Sequence, residues 1–329
     1  MSFPKKVLIF SSLLALSAGI TSCNSTRNNP NIRLSSAGAT FPAKVYTRWF
    51  SDLAKSDGPK VNYQAIGSGS GRKAFIDQTV DFGASDDPMT SKDIAKVTRG
   101  LVQIPMVGGT IAFGYNYDCE LKLTQTQAVR VAMGIIKDWS ELGCPAGKLI
   151  WAHRSDGSGT TKAFTNSMRA FSREWTLGTG KSVNWPAGVG GKGNAGVAGI
   201  IRNTPGAIGY INQSYIKGIV KAAALQNLSG QFLKPSTKTG SAALNSIRLD
   251  QNLAGNNPNP KAKNAYPIAT LTWVLAYRTG NGSKTEAIKE SLKYLLSDAA
   301  QSKAPVLGFV SLQGEILKKS RAAINRIEN

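Results

Sequence analysis

The amino-acid sequence predicts an α/β protein of two domains, and three observations carry that reading. From Ile32 onward short apolar runs alternate with amphipathic helical patterns, as where VNYQAI at 61–66 is followed by RKAFIDQTV at 72–80. The chain has 329 residues and 41% apolar content, enough to bury a substantial core in roughly two domains. It shows no internal repeat and no long low-complexity segment, which sets aside solenoid and disordered architectures.

In chain order, MSFPKK is followed by the apolar run Val7–Ile20, a cationic start and a core of secretory-signal length. The run is short of the ~20 apolar residues a membrane helix needs. It ends in Ile20-Thr21-Ser22-Cys23, which resembles a bacterial lipobox. Residues 1–22 are therefore expected to be a signal peptide, with Cys23 left as an acylated first residue. A plain signal peptide is the alternative. Acyl chains at ~0.8 kcal/mol per buried methylene would give a stable membrane anchor. Residues 23–31 carry no apolar periodicity and read as a flexible tether. With Cys23 set aside, Cys119 and Cys144 are either one disulfide or two buried thiols. The exported context favours the bridge, worth ~3 kcal/mol if geometry permits. A single histidine and no Cys-x-x-Cys argue against zinc.

Three small-residue turns each feed a helical pattern: Thr40-Phe41-Pro42, then Gly67-Ser68-Gly69-Ser70-Gly71, then Gly157-Ser158-Gly159-Thr160. A helix N-terminus presents unpaired N–H donors and partial positive charge, glycine admits an oxyanion to the backbone, and hydroxyls add rotatable donors. One such turn is usually a simple cap; three in one chain, with Arg154 beside the third, point to an anion site.

These turns lie in AGATFPAKVY, VNYQAIGSGSG and RSDGSGTT, which with VDFGASDDPM, GVGGKGN and PGAIGYI run in order from Ala37 to Ile211. Together the six motifs closely resemble the phosphate-binding proteins of bacterial phosphate ABC transporters, and AYPIATLTWVLAY at 265–277 resembles that family's return into the first domain. The resemblance implies a periplasmic-binding-protein fold of type II, two α/β lobes joined by crossing hinge strands. Its expected lobes are 32–112 plus 268–329, and 113–267. It implies phosphate ligands at Thr40, Phe41, Ser68, Asp86, Arg154, Ser158, Gly159 and Thr160, with Asp156 partnering the arginine. It further implies no catalysis, cofactor or metal, a monomer of the periplasm or outer cell surface, arsenate as an analogue, and a membrane permease as partner. A starvation sensor or a surface protein that kept the fold is the alternative. Gly69 stands where a second serine is common, Asn194-Ala195-Gly196 where Asn-Asp-Gly is frequent, and the chain after Gly280 matches only loosely.

Other readings are weaker. His153, Asp156 and Ser158 are close in sequence, but no G-x-S-x-G elbow surrounds Ser158. Gly188–Gly193 satisfies G-x-G-x-x-G without a clear preceding strand, and no acidic residue for a ribose occurs from Trp175 to Leu249. That acid-free stretch carries eight Lys and Arg, and the whole chain has a formal charge of +21. With an exported leader and no nucleic-acid-binding motif, a basic face that concentrates anions is the better account than nucleic-acid binding.

Overall fold

The structure, a computed structural model, describes residues 1, 2, 4 and 32–329. The expected signal peptide, tether and Cys23 lie outside the described residues. Among those described, no helix is long and apolar enough to cross a membrane.

Strands β1 (Arg33–Gly38), β2 (Lys60–Ala65) and β3 (Phe82–Ser85) begin the fold, followed by β4 (Leu101–Tyr115) and the short β5 (Lys122–Leu123). Then come β6 (Ile150–Arg154), β7 (Val189–Gly191), β8 (Ala207–Asn212), β9 (Lys221–Ala222), β10 (Ala224–Gln226), β11 (Phe232–Leu233) and β12 (Ala269–Tyr277). The main sheet runs β2-β1-β3-β12-β4-β8-β6-β7 with β9 added on β4, while β11-β10-β5 form a small separate sheet.

β4 holds the molecule together. Its sequence LVQIPMVGGTIAFGY is an almost continuous run of apolar and small residues, buried from Val102 to its end, as a strand covered on both faces must be. Leu101–Thr110 pair antiparallel with β12, and Ile111–Tyr115 pair antiparallel with β8. Pro105 is tolerated inside this central strand because the register with β12 shifts there, between Thr272 and Trp273. On either side of the change of partner lies a set of parallel strands, β1 with β2 and β3, and β6 with β7 and β8. The mixed α/β sheet and its crossing strand agree with the predicted architecture.

Each side has its own aromatic core. Trp49 is fully buried and donates from Nε1 to the Ala300 carbonyl at 2.8 Å, whereas Trp139 does the same to Gly206 at 3.0 Å. Phe164 and Tyr210 stack at 4.3 Å between their centroids. Cys119 and Cys144 are joined by a disulfide, which selects the bridge over two thiols.

Several local expectations shift. Pro42 caps the helix Ala43–Lys55, and the next helix, with its pattern read at 72–80, starts earlier at Ser68 and stops at Ile76. Val189–Gly191 do form a strand, β7, paired parallel to β6; with two glycines and no β-branched run, its sequence carries little strand signal. The segment 237–254, expected with the second lobe, contacts the first half of β4 and β12. A Cβ on Gly108 would lie 2.1 Å from Leu244 Cδ1, and Trp273 Nε1 donates to the Leu253 carbonyl at 2.7 Å. Periodicity marks a helix but not the neighbour it covers.

Candidate functional site

The predicted site residues converge on the ends of two sets of parallel strands. Thr40 and Phe41 follow β1, Ser68 follows β2, and Asp86 follows β3. Opposite them Arg154 ends β6, and Ser158, Gly159 and Thr160 start the helix Gly159–Phe171. The crevice beyond the carboxyl ends of parallel strands is where open α/β sheets bind ligands, because helices begin there and their N–H groups face it. A fourth helix, Gly193–Asn203, starts at the same place with Asn194 in its first turn.

Glycine is required by how closely these turns approach. Gly67 has φ +95°, and a Cβ there would lie 2.4 Å from Asp156 Oδ2. A Cβ on Gly159 would lie 2.6 Å from Ser68 Oγ and 2.8 Å from Asp86 Cβ. Gly69 N donates to the Gly157 carbonyl at 2.8 Å, so two glycine turns touch directly across the cleft. The Gly69 departure from the family pattern therefore sits at a contact that a larger residue would crowd: a Cβ there meets Gly157 Cα at 3.1 Å.

The polar groups form two hydrogen-bonded sets, one through Asp86, Ser68, Thr160, Asn194 and Thr40 and one through Arg154 and Asp156. Asp86 N donates to Ser68 Oγ at 3.2 Å, and Thr160 Oγ1 donates to Asp86 Oδ2 at 3.4 Å. Thr40 Oγ1 accepts from Asn194 N and Nδ2, both at 3.1 Å, and the same amide donates to Thr160 Oγ1 at 3.2 Å. Arg154 Nε donates to Asp156 Oδ1 at 2.6 Å while its Nη2 pairs with Oδ2, and Gly193 N donates to Asp156 Oδ1 at 2.9 Å. Ser158 Oγ caps its helix by accepting from Thr161 N at 3.0 Å, leaving its hydrogen free to donate elsewhere. Phe41 is fully buried with its ring edge-on to Phe309 at 6.0 Å, which fixes the backbone of its turn.

One atom of each set has no hydrogen-bond partner among the described residues: Asp86 Oδ1 and Arg154 Nη1. Both side chains are buried, Asp86 at 3% and Arg154 at 5% exposure. An unpartnered buried carboxylate oxygen, and an unpartnered guanidinium nitrogen whose charge acts on that carboxyl, call for a ligand that can donate to the first and accept from the second. Burial pushes the Asp86 carboxyl up to about 7, against the nearby Thr272 hydroxyl, the Arg154 charge and the Thr160 hydroxyl, all of which lower it. Asp156 goes the other way: burial raises it, but the hydrogen bonds and charge of Arg154 outweigh burial and hold it below the usual carboxylate value.

Sequence reasoning missed two residues that organise the site. Arg72, buried in the helix Ser68–Ile76, donates to the carbonyls of Asp87 at 2.6 Å and Pro88 at 3.0 Å and pairs with the Asp87 and Asp93 carboxylates. It thereby clamps the turn that carries Asp86. Asn194 joins Thr40 to Thr160 and accepts from Asn212 N through Oδ1 at 2.8 Å. Its only signal was membership of GVGGKGN, since an asparagine in a glycine turn most often serves its own backbone. His153 stacks on Trp185 at 5.4 Å, with Nδ1 3.1 Å from the Arg154 carbonyl, and Ser158 Oγ is held by Thr161 N.

A family model described as the PBP superfamily domain matches residues 24–299. The phosphate-binding protein PstS of Pasteurella multocida is 36% identical over 309 residues, covering 88% of this chain and 89% of its own length. The protein of the same description from Haemophilus influenzae is 38% identical over 271 residues, with 77% and 80% covered. Among solved structures, a phosphate-binding protein from Stenotrophomonas maltophilia superposes with a TM-score of 0.71 at 20% identity, covering 88% of this chain and 93% of its own. A high-affinity periplasmic phosphate-binding protein with phosphate bound gives a TM-score of 0.76 at 18% identity, with the same coverage of 88% and 93%. These two structures share the two-lobed fold. The chain thus belongs to the PBP superfamily and, within it, to the family of the PstS phosphate-binding proteins.

Proposed function

We propose that the protein captures inorganic phosphate between its two lobes and delivers it to a membrane permease of an ABC transporter, without chemistry on the ligand. The observation that carries this reading is the pair of buried unpartnered atoms, Asp86 Oδ1 and Arg154 Nη1. Phosphate near neutral pH bears both oxyanion acceptors and a hydroxyl donor, so one ion can satisfy both. In this reading Arg154, Ser68, Ser158, the hydroxyl of Thr40 and the backbone of Phe41, Gly159 and Thr160 donate, and Asp86 accepts, while the Thr160 hydroxyl stays on Asp86 Oδ2. Asp156 holds the Arg154 fork in its plane and offsets part of its charge. Arsenate, with the same protonation pattern, is the analogue expected to bind.

The lobes are proposed to divide within β4, where its partner changes from β12 to β8 at Thr110/Ile111. This lies beside the boundary expected near 112; the proposal keeps 268–329 in the first lobe and moves 237–254, which packs on the first half of β4 and on β12, to that lobe. Further parts of the proposal are a periplasmic or outer-surface location, anchoring by an acylated Cys23, and a monomeric protein that does not bind nucleic acid. Calorimetric titration tests the central point on protein stripped of carry-over ligand. Heat and thermal stabilisation with phosphate are expected, and their absence at millimolar phosphate would end the reading.

A further inference from the structure

Outside the ligand network, Lys44 is the second residue of the helix Ala43–Lys55, one turn beyond Thr40. Its Nζ crosses to the other lobe, donating to the Ser214 carbonyl at 2.7 Å and sitting 3.5 Å from the centre of the Tyr215 ring. Ser214 is no isolated acceptor. Its N–H donates to Asn212 Oδ1 at 2.8 Å, Asn212 N donates to Asn194 Oδ1 at 2.8 Å, and Asn194 donates twice to Thr40 Oγ1 at 3.1 Å. The chain of bonds runs from Thr40 through Asn194, Asn212 and Ser214 to Lys44, and returns to Thr40 along the backbone of the turn that leads into the helix. It crosses between the lobes twice, at Thr40 and at Lys44.

We propose that Lys44 and Tyr215 form a clasp that holds the closed lobes together and slows ligand release, with Lys44 acting as a positioning residue that touches no ligand. Opening the cleft must break the ammonium–carbonyl bond and the cation–π contact along with the Thr40–Asn194 pair, so the clasp adds to the barrier for release and little to capture. Burial, and secondly the charge of Lys217, bring the Lys44 ammonium down to about 8, which leaves it charged at neutral pH.

The inference rests on phosphate binding in the cleft, and its test separates the two. Full-length protein is mixed with inorganic phosphate in stopped flow, followed by tryptophan fluorescence, for wild type, Lys44→Met, Lys44→Arg, Tyr215→Leu and the Lys44→Met/Tyr215→Leu double variant. Lys44→Met and Tyr215→Leu should each speed release by roughly tenfold while association stays within about twofold. Lys44→Arg, which keeps a cation over the ring, should retain most of the slow release, and the double variant should be no faster than the worse single one. Release at the wild-type rate in Lys44→Met or in Tyr215→Leu would overturn the clasp while leaving phosphate binding intact. So would an equal loss of melting temperature with and without phosphate, which would mark the contact as static packing. Wild-type protein that fails to bind phosphate would instead overturn the functional reading beneath it.

Discussion

Replacing Asp86 by asparagine tests the heart of the site, because it removes a buried charge without changing its shape. Burial raises the Asp86 carboxyl from an ordinary 3.8 to about 7 in the closed cleft. For a raised pKa the sign runs one way. Below about pH 4 the carboxyl is protonated in folded and unfolded chains alike and contributes no difference. As pH rises from there toward 7, the unfolded chain ionises while the folded chain holds its proton, so the fold loses stability until both are ionised. At about 1.4 kcal/mol per unit, the loss reaches a ceiling of about 4 kcal/mol. Cleft opening lets water reach Asp86 and brings the loss below that ceiling. Asp86→Asn does not titrate, so ligand-free variant should be the more stable protein near pH 8, by about 1 to 4 kcal/mol, with the gap closing toward pH 4. Urea denaturation of phosphate-free protein across this range measures it. A stability difference that stays flat with pH would refute the reasoning. The same variant should narrow discrimination between phosphate and sulfate. Ionised Asp86 needs a donor that fully deprotonated sulfate lacks, and sites built on a substrate donor reject analogues without it by ~10⁴-fold or more. Wild-type protein that binds sulfate within about tenfold of phosphate would contradict that account.

Arg154→Ala should weaken phosphate binding by about 1.5 to 3 kcal/mol in calorimetry, the range of a charge-assisted contact, and unchanged affinity would displace the proposed site. Gly159→Ala places a methyl 2.6 Å from Ser68 Oγ across the cleft, so it should wedge the lobes. Overpacking of this kind costs about 1 to 3 kcal/mol, read as a roughly 5- to 150-fold loss of affinity with little change in ligand-free melting temperature. Equal affinity would mean that the lobes do not meet there. For the leader, Cys23→Ser should block maturation or shift the protein from membranes to the soluble fraction; identical fractionation of both forms would reject acylation.

Short-range signals made much of this protein legible from its sequence. The α/β class followed from alternating apolar runs and helical periods, and the turns at Gly67 and Gly157 were marked by glycine and hydroxyl residues at helix starts. Both depend on interactions within a few residues, where each sequence has few conformational alternatives. The set Thr40, Phe41, Ser68, Asp86, Arg154, Ser158, Gly159 and Thr160 came from family resemblance, and composition alone could not have selected it. The tertiary structure decided the rest. It alone could give Arg72 its hold on the Asp86 turn, link Asn194 to Thr40 across 154 positions, and lay 237–254 against the first half of β4. It also showed that Gly69 and Gly159 are needed for the segment facing them rather than for their own turns, and that Gly67 is needed for both. Such contacts join residues far apart in the chain, and no local preference encodes a partner. They arise only when both lobes bury their apolar faces around the shared strand β4, which brings polar groups of separate segments to one dry place where each must find a bond.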